Sequence, residues 1–555
     1  MLQKMKRSLS ILLVIALLVG LFPMHALAAP AVGLGLSDDY GAVEVLDYYD
    51  EWEWVYNENE FRCPSEDEYI PYEPQYTEAE LIALGVLEIA PTDIVAASAD
   101  GFEAGIAPAS AGGIVTINTG TSMQMFDALV AAINGAPTNG LLRTIRLTDD
   151  FRAWPVHNRT SIVINGGRNI LLEGVQVPGV GPNRARRYFT MDTTGTVANQ
   201  GMARHFRIHA NATLEIRNIG LYRSVVTEAP GYGGGVYVWS GGHFIMGVNS
   251  EIRGARRAET LNGGAIDATG SGTRVTLNNG AVIRNNHTVG TGSGGGVSVL
   301  NGAHLTVNGA TLRDNTSGGR GGAIYVSGES TGAGARISEA WLNSGTVIVN
   351  NRVGESTGGG VAVLAGARLT MRAGVDIFNN HTSEQYTINV VGGGVSVHGV
   401  RASNTEAPSY FIMYGGTIRG NSAGWGGGGV HVTQSAQFVM HDGTIGGPNA
   451  ADRNRGTYGG GIMVSANARA AGSTVDATFT MRGGTIQNNE ALNRTDPVSH
   501  VTSGGGGLYL SSATRAIMHD GTITGNIAPS GGVYGVASDQ RKSCELYHVW
   551  RHHKQ

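Results

Sequence analysis

Lysine is missing from the chain between Arg7 and Arg541, where every Lys or Arg position is arginine. Lys–Asn isopeptide cross-links, which stiffen some exported adhesin modules, are therefore excluded from this stretch. The two cysteines, Cys63 and Cys544, lie outside the long middle part of the chain, so no disulfide can form within it. Charged residues make up only 15% of the sequence. Backbone hydrogen bonds and apolar packing must therefore stabilise the middle part.

Long apolar runs are also scarce, and the one present is at the N-terminus. Three basic residues within the first seven positions precede an apolar run at 9–22, and an Ala-Leu-Ala cleavage site with small residues at 26 and 28 follows. The run is shorter than the roughly 20 residues that a spanning helix needs. This pattern predicts a signal peptide over 1–29. The mature chain is therefore expected to lack a transmembrane helix and to be secreted, or held at the cell surface by other means.

Basic residues are nearly absent from the segment that follows. Residues 31–110 hold 19 Asp and Glu against the single Arg62, whereas residues 111–555 hold 35 Lys and Arg against 25 Asp and Glu. This composition predicts an acidic, weakly ordered linker over 30–110. An alternative is that this segment docks onto the basic body of the protein.

Glycine is plentiful, and its distribution is repetitive. The 85 glycines show no Gly-X-Y period, which excludes collagen. They cluster ahead of a pattern that recurs ten times between Val236 and Val533 at spacings of 25 to 46 residues. One unit, 294–315, reads GGGVSVLNGAHLTVNGATLRDN, with three pieces of period-2 alternation. Alternation at this period predicts an all-β, three-sided solenoid over 233–537, with one strand-like piece per side.

The region 111–232 is predicted to hold the N-terminal cap and the first coils of this solenoid. Apolar residues at Phe126, Leu129, Val130 and Ile133 have helical spacing, and Ser122 precedes them as a possible N-cap residue. A solenoid needs its open end covered, and an amphipathic helix can do this.

An asparagine ends most units of the repeat. Copies stacked one strand apart can form an amide ladder that satisfies buried polar groups at a corner of the coil. A ligand-binding row is the alternative interpretation. The predicted ladder consists of Asn286, Asn315, Asn351, Asn380, Asn421, Asn489 and Asn526.

Two motifs of the repeat resemble those of a known family. Gly-Gly-Ala-Ile at 263–266 and 321–324, with the recurrent aliphatic-x-x-Asn, resembles the GGAI and FxxN repeats of polymorphic outer-membrane, adhesin-like proteins. More broadly, residues 111–535 resemble the pectin-lyase-like group of right-handed parallel β-helices. This resemblance implies the fold, but it leaves activity open because the group includes lyases, hydrolases, phage tail spikes and adhesins.

The tail, 538–555, departs from the repeat. It brings back lysine and places His548, His552 and His553 within six residues. A metal site there would need carboxylate partners and a fixed scaffold, and the sequence offers neither. We therefore predict an atypical tail with no metal site.

The sequence favours a non-catalytic, adhesin-like protein that binds a surface ligand, either a glycan or a host protein. We predict no catalytic residue and no cofactor. We also predict no nucleic-acid partner, because the arginines are scattered along the chain rather than clustered. The alternatives are a polysaccharide lyase or glycoside hydrolase on the same fold, and a structural surface-layer component. Outward alternation and aromatic character select five ligand-facing candidates, Tyr237, Trp239, Tyr325, Trp425 and Tyr509.

Overall fold

The computed structural model describes most of the chain from residue 113 onward, within the compact unit Glu51–Gln555. The predicted signal peptide and acidic segment lie outside the described residues, as does the tail except for the strand Glu545–His548. The described ranges are 113–118, 121–153, 161–175, 186–192, 204–224, 234–257, 260–328, 336–384, 390–402, 405–466, 477–493, 503–511, 514–535 and 545–548.

The described chain winds into a parallel β-helix, as the repeat predicts. Each turn contributes one strand to each of three long sheets, and the next turn pairs with it in parallel. In sheet 1, for example, Val236 pairs with Ile266, Ile266 with Val297, and Val297 with Ile324. These are the aliphatic positions that recur in the sequence, so the repeat period equals one turn of the coil. The fold prediction is confirmed.

Sheet 1 contains 12 described strands and is formed by the first piece of each unit. Its strands are Ile162–Ile164, Phe206–Ile208, Val236–Trp239, Ile266–Thr269, Val297–Leu300, Ile324–Ser327, Val361–Leu364, Val395–His398, Val430–Thr433, Ile462–Ser465, Leu508–Leu510 and Val533–Gly535.

Sheet 2 contains 14 described strands and is formed by the second piece. Its strands are Ile114–Ile117, Leu142–Leu147, Asn169–Gly174, Thr213–Arg217, His243–Met246, Arg274–Leu277, His304–Asn308, Glu339–Asn343, Arg368–Met371, Tyr410–Met413, Gln437–Met440, Thr478–Met481, Arg515–Met518 and Glu545–His548.

Sheet 3 contains 12 described strands and is formed by the third piece. Its strands are Phe151–Ala153, Arg187–Asp192, Ile219–Ser224, Glu251–Arg253, Val282–Arg284, Thr311–Arg313, Val347–Val349, Asp376–Phe378, Thr417–Arg419, Thr444–Gly446, Thr485–Gln487 and Thr522–Thr524.

Short strands lie at the corners of the coil. Four of them form a small parallel sheet, two more pair in parallel, and the last two form an antiparallel hairpin. They are Arg256–Arg257, His287–Thr288, Thr316–Ser317 and Arg352–Val353; Arg455–Gly456 and Glu490–Ala491; and Val400–Ala402 with Thr405–Ala407.

A helix, α1 (Ser122–Asn134), packs against the first turn of the coil. It buries the predicted face, including Phe126, Leu129 and Ile133. Its N-cap is Thr121, one residue before the predicted Ser122, because Thr121 and Gln124 form a reciprocal capping box. This helix closes the N-terminal end of the apolar interior.

The interior is filled by columns of identical or similar side chains. On sheet 2, Phe411, Phe438 and Phe479 stack with ring centroids 4.6 and 5.1 Å apart, and all three are buried. Such columns arise because the same alternation recurs in register on each turn. Burial of aromatic and aliphatic side chains on every turn stabilises the coil without a disulfide in its middle part.

The predicted asparagines stack at the corner that follows sheet 3. Asn351 is typical: its Nδ2 donates to the Oδ1 of Asn380 at 2.9 Å and to the carbonyl of Leu312 at 3.0 Å. Its own Oδ1 accepts from the backbone N–H and Nδ2 of Asn315 at 3.0 and 2.9 Å. The column therefore satisfies buried polar groups that the tight corner would otherwise leave without partners.

Asn454 fills the gap that the sequence left between Asn421 and Asn489. It accepts from Asn421 Nδ2 at 3.0 Å and donates to Asn489 Oδ1 at 2.8 Å. Sequence spacing concealed it because an extra loop with a 3-10 helix, Ala450–Asp452, separates it from the preceding sheet 3 strand. The ladder described here thus runs from Asn286 to Asn526 over eight consecutive turns.

The glycine-rich segments form a second layer over the outer side of sheet 1. Ser298 and Ala362 point away from the core, yet both are fully buried. Gly358, at φ +74°, turns its segment back so closely that a Cβ there would lie 2.8 Å from the Cβ of Ala362. A Cβ on Gly322 would lie 2.2 Å from the carbonyl oxygen of Gly359 on the next turn. Glycine is required because these segments stack at backbone contact distance.

Candidate ligand-binding groove on the second sheet

The five predicted ligand-facing aromatics lie in separate clusters on the side of sheet 1. Tyr237 stacks on Trp239 at 4.7 Å, and Tyr325 is half-buried against the small cluster around Ala362. Trp425 packs against Tyr458 at 5.1 Å, and Tyr509, only 7% exposed, packs 5.0 Å from Tyr458. The structure therefore does not bring the five together into one continuous surface.

The outer side of sheet 2 carries an open groove of about 760 Å³. Four successive turns form it, with strands at His304–Asn308, Glu339–Asn343, Arg368–Met371 and Tyr410–Met413. Its lining combines two aromatic rings, one guanidinium and several neutral polar groups. The lining residues are His304, Thr306, Trp341, Asn343, Ser344, Arg372, Ala373 and Tyr414.

Strand alternation positions Trp341 in the groove. Ala340 and Leu342, its neighbours, are fully buried in the core, so Trp341 must point outward. The parallel pairings place it between Thr306 and Thr370 on the adjacent turns. Two small flanking side chains leave the large ring accessible from the groove.

A polar network beside the groove fixes the orientation of Trp341. Its Nε1 donates to Glu339 Oε2 at 3.4 Å, and His304 Nδ1 lies 3.3 Å from the same oxygen. Arg368 forms an ion pair with Glu339 Oε1 at 3.1 Å. Hydrogen bonding from His304, followed by the charge of Arg368, holds the pKa of Glu339 below its usual value against the opposing effect of burial. Glu339 therefore remains ionised at neutral pH and anchors the indole.

Arg372 and Tyr414 complete the groove. The guanidinium carbon of Arg372 lies 5.4 Å from the centroid of the Trp341 ring, within the range of a cation–π contact. Tyr414 stacks on His441 of the following turn at 4.7 Å. The first contact holds the cation near the indole, and the second orients the phenol ring.

A short row of outward amides leads into the groove. Asn343 Nδ2 donates to Asn308 Oδ1 at 2.7 Å, and Asn308 Nδ2 donates to Asn278 Oδ1 at 3.1 Å. All three side chains are half-buried, unlike the fully enclosed ladder at the other corner. The row extends a surface of hydrogen-bonding groups along the coil axis.

Two acidic residues that recur in the repeat, Asp442 and Asp520, belong to turns. Asp442 and Asp520 accept from the N–H groups of Gly443 and Gly521, both at 2.7 Å, and so stabilise turns. No three His, Cys, Asp or Glu side chains among the described residues are placed to hold a metal ion together. In the same described regions, no helix is long and apolar enough to cross a membrane.

Sequence reasoning missed the groove residues, although one signal was present. Trp341 is one of only seven tryptophans in the chain, and it alternates with Ala340 and Leu342 in a second piece of the repeat. That pattern places it outward on sheet 2. His304, Arg372 and Tyr414 could not be selected in the same way, because the groove also needs the small lining residues Ser344 and Ala373 on neighbouring turns.

Comparison with known proteins adds no relative. No protein-family model, no curated protein and no solved structure gives a significant match to this chain.

Proposed function

We propose that this chain is a secreted or cell-surface, adhesin-like protein that binds a glycan in the groove on sheet 2 without catalysis. The observation that carries the proposal is the fixed Trp341 ring, accessible in a groove lined by Arg372, Tyr414 and Asn343. A rigid aromatic ring beside a guanidinium and several neutral hydrogen-bonding side chains is chemistry that suits a sugar.

A pyranose ring has an apolar face of C–H groups and an edge of hydroxyl groups. The indole of Trp341 offers a flat apolar surface, and Thr306, Asn343 and Ser344 offer donors and acceptors beside it. Because Glu339 already holds the indole, little side-chain entropy is lost when a ligand stacks on it. A host protein could present the same chemistry only through its attached sugars or a polar loop.

The proposed location follows from the sequence. The predicted signal peptide at 1–29 directs the chain across a membrane, and a rigid coil of stacked turns then displays the groove outside the cell. A binding role fits a fold whose long faces are preformed, since a preformed groove binds with little rearrangement.

A glycan array followed by calorimetry tests the proposal. We expect the protein to bind at least one oligosaccharide, and Trp341→Ala to weaken that binding about tenfold or more, the equivalent of about 1.4 kcal/mol. Trp239→Ala is the matched control, because Trp239 stacks with Tyr237 and His209 on the side of sheet 1. Unchanged binding in Trp341→Ala would contradict the proposed site, and no binding across neutral and acidic glycans would contradict the function.

A polysaccharide lyase or glycoside hydrolase is the second candidate, favoured by one observation. Glu339 is an ionised carboxylate next to His304, Arg368 and the sugar-sized groove. Incubation with pectic and other polysaccharides distinguishes the two, since an enzyme releases shortened products and a binding protein returns them intact. Product release that is lost in Glu339→Gln would replace the adhesin-like proposal. Self-assembly into ordered layers without glycan binding would favour the surface-layer alternative.

A further inference from the structure

We propose that His398, at the root of the hairpin that precedes the strand Tyr410–Met413, and His431 on the next turn form an acid-sensitive pair that loosens the hairpin when it is protonated. The effect on the hairpin does not depend on the proposed function. Its consequence for ligand binding rests on the proposed function of the groove.

The two imidazoles belong to a continuous chain of side chains under the glycine-rich layer. Ser396 Oγ lies 2.7 Å from His398 Nε2 and 3.4 Å from His431 Nδ1, while His431 Nε2 lies 2.8 Å from Ser465 Oγ. The ring centroids are 5.3 Å apart. His431 is 4% exposed, Ser396 is fully buried, and His398 is half-buried. Each imidazole is thus hydrogen-bonded to a serine hydroxyl group, and the neutral form of the ring is sufficient for these hydrogen bonds.

The surroundings oppose protonation of either ring. The parallel pairings place Ala362 and Leu364 on the turn before the pair, and Met463 and Ser465 on the turn after it. None of these four side chains is titratable. The charged group acting on His398 is the cation of Arg320, which belongs to the covering glycine-rich segment of an earlier turn.

Burial, and then the charge of Arg320, lowers the pKa of His398 to about 3. Burial, and then His398, lowers the pKa of His431 well below its usual value. Because both values are depressed in the folded state, the folded arrangement is fully stable above the usual histidine pKa of about 6.5 and loses stability as the pH falls below it. Two imidazolium groups at this separation beside Arg320 would also repel each other.

The pair is connected directly to the groove. His398 ends its sheet 1 strand, and the hairpin Val400–Ala402 with Thr405–Ala407 follows. The buried Ser409 closes the root of the hairpin by donating from Oγ to the carbonyl of His398 at 2.7 Å. The next strand, Tyr410–Met413, leads into Tyr414 at the groove. Loosening of the root is therefore transmitted along one short stretch of backbone.

Amide hydrogen exchange of the ligand-free protein tests the pair. After correction for intrinsic exchange, we expect exchange within 395–409 to rise about tenfold or more between about pH 7.5 and pH 5, because the open form binds protons that the closed form excludes. His398→Gln with His431→Gln should abolish this rise, since glutamine keeps hydrogen-bonding groups and does not titrate. His243→Gln, which removes a half-buried histidine on sheet 2, should leave the rise unchanged.

A rise that is absent in the unmodified protein, or that survives in the double variant, overturns the proposal. If the double variant fails to fold, His398→Gln alone should show roughly half of the rise in the logarithm of the exchange rate, and a full rise in this variant also overturns the proposal.

Calorimetry with cello-oligosaccharides and galacturono-oligosaccharides at both pH values then tests whether loosening of the hairpin weakens ligand binding in the groove. Binding that does not weaken in acid while exchange rises overturns the regulatory step. A failure of both sugars to bind counts against the proposed function and leaves the exchange result standing.

Discussion

The outer sides of sheets 1 and 2 have the same alternation of inward and outward residues, but they differ in what lies above them. On sheet 1, glycine-rich segments of the repeat fold back over the strands, and outward residues such as Ser298 and Ala362 are buried. On sheet 2, Trp341 and Tyr414 face an open groove. Aromatic residues on the covered side therefore hold the coil together, whereas those on the open side are available to a ligand.

The covered side should be the more sensitive to an added methyl group. In Gly322→Ala, the new Cβ would lie 2.2 Å from the carbonyl oxygen of Gly359 and 2.7 Å from the backbone nitrogen of Arg352. We expect a loss of about 4 kcal/mol or more in the free energy of unfolding, because the backbone must move. Gly354→Ala is the matched control, since no atom beyond its two chain neighbours lies within 4 Å of its added Cβ. Denaturant unfolding of both variants measures the difference, and similar midpoints would show that the layer is loosely packed.

Removing one aromatic side chain from each side sharpens the comparison. Tyr458 is 3% exposed and contacts Trp425 and Tyr509 on the covered side, so Tyr458→Ala should lower the stability by about 3–4 kcal/mol. Trp341→Ala should cost about 1 kcal/mol or less and instead weaken ligand binding. Thermal unfolding and calorimetry on the same two variants separate the effects. A loss of binding in a folded Tyr458→Ala protein would place a ligand on the covered side.

Two asparagines test the same contrast with one residue type. Asn351→Ala removes an enclosed amide and leaves Asn315 N–H and the carbonyl of Leu312 without their partner, which should cost about 2–4 kcal/mol. Asn343→Ala removes a half-buried amide whose Nδ2 donates to Asn308 Oδ1 at 2.7 Å, and the cost should stay below about 1 kcal/mol because water can replace it. Equal losses in urea unfolding would mean that the outer amides are as structural as the inner ones.

Acid should affect a buried histidine of the interior and the carboxylate beside the groove in different pH ranges. Burial lowers the pKa of His205 to about 4, so the stability that neutral His205 supports falls by up to about 1.4 kcal/mol per pH unit between about 6.5 and 4. The pKa of Glu339 is also lowered, and its contribution is lost only below its usual value of 4.5. His205→Gln should reduce the slope of the stability–pH curve by this amount between about pH 6.5 and 4 and leave the range below about 4 unchanged. A curve unchanged by this variant would show that His205 does not titrate on unfolding.

The sequence predicted the coil well because its evidence is local and repeated. Alternation assigns each side chain to the inside or the outside, and the recurring asparagines mark one corner, except at Asn454, where an extra loop shifts the spacing. The ligand-facing candidates came from sheet 1 because alternation shows only that Tyr509 points away from the core. It does not show that another segment lies over it. The groove depends on contacts between turns, which the order of residues along one turn does not contain.

The hydrogen bonds of all three sheets run parallel to the axis of the coil, since successive turns are the paired strands. A pulling force along that axis therefore loads every bond between two adjacent turns at once, and the asparagine corner shares the load. Rupture at one interface would release the slack of a single turn while the remaining turns stayed wound. A coil of this kind resists tension by many small bonds acting in parallel and extends in discrete steps, a useful property for any protein that tethers one surface to another.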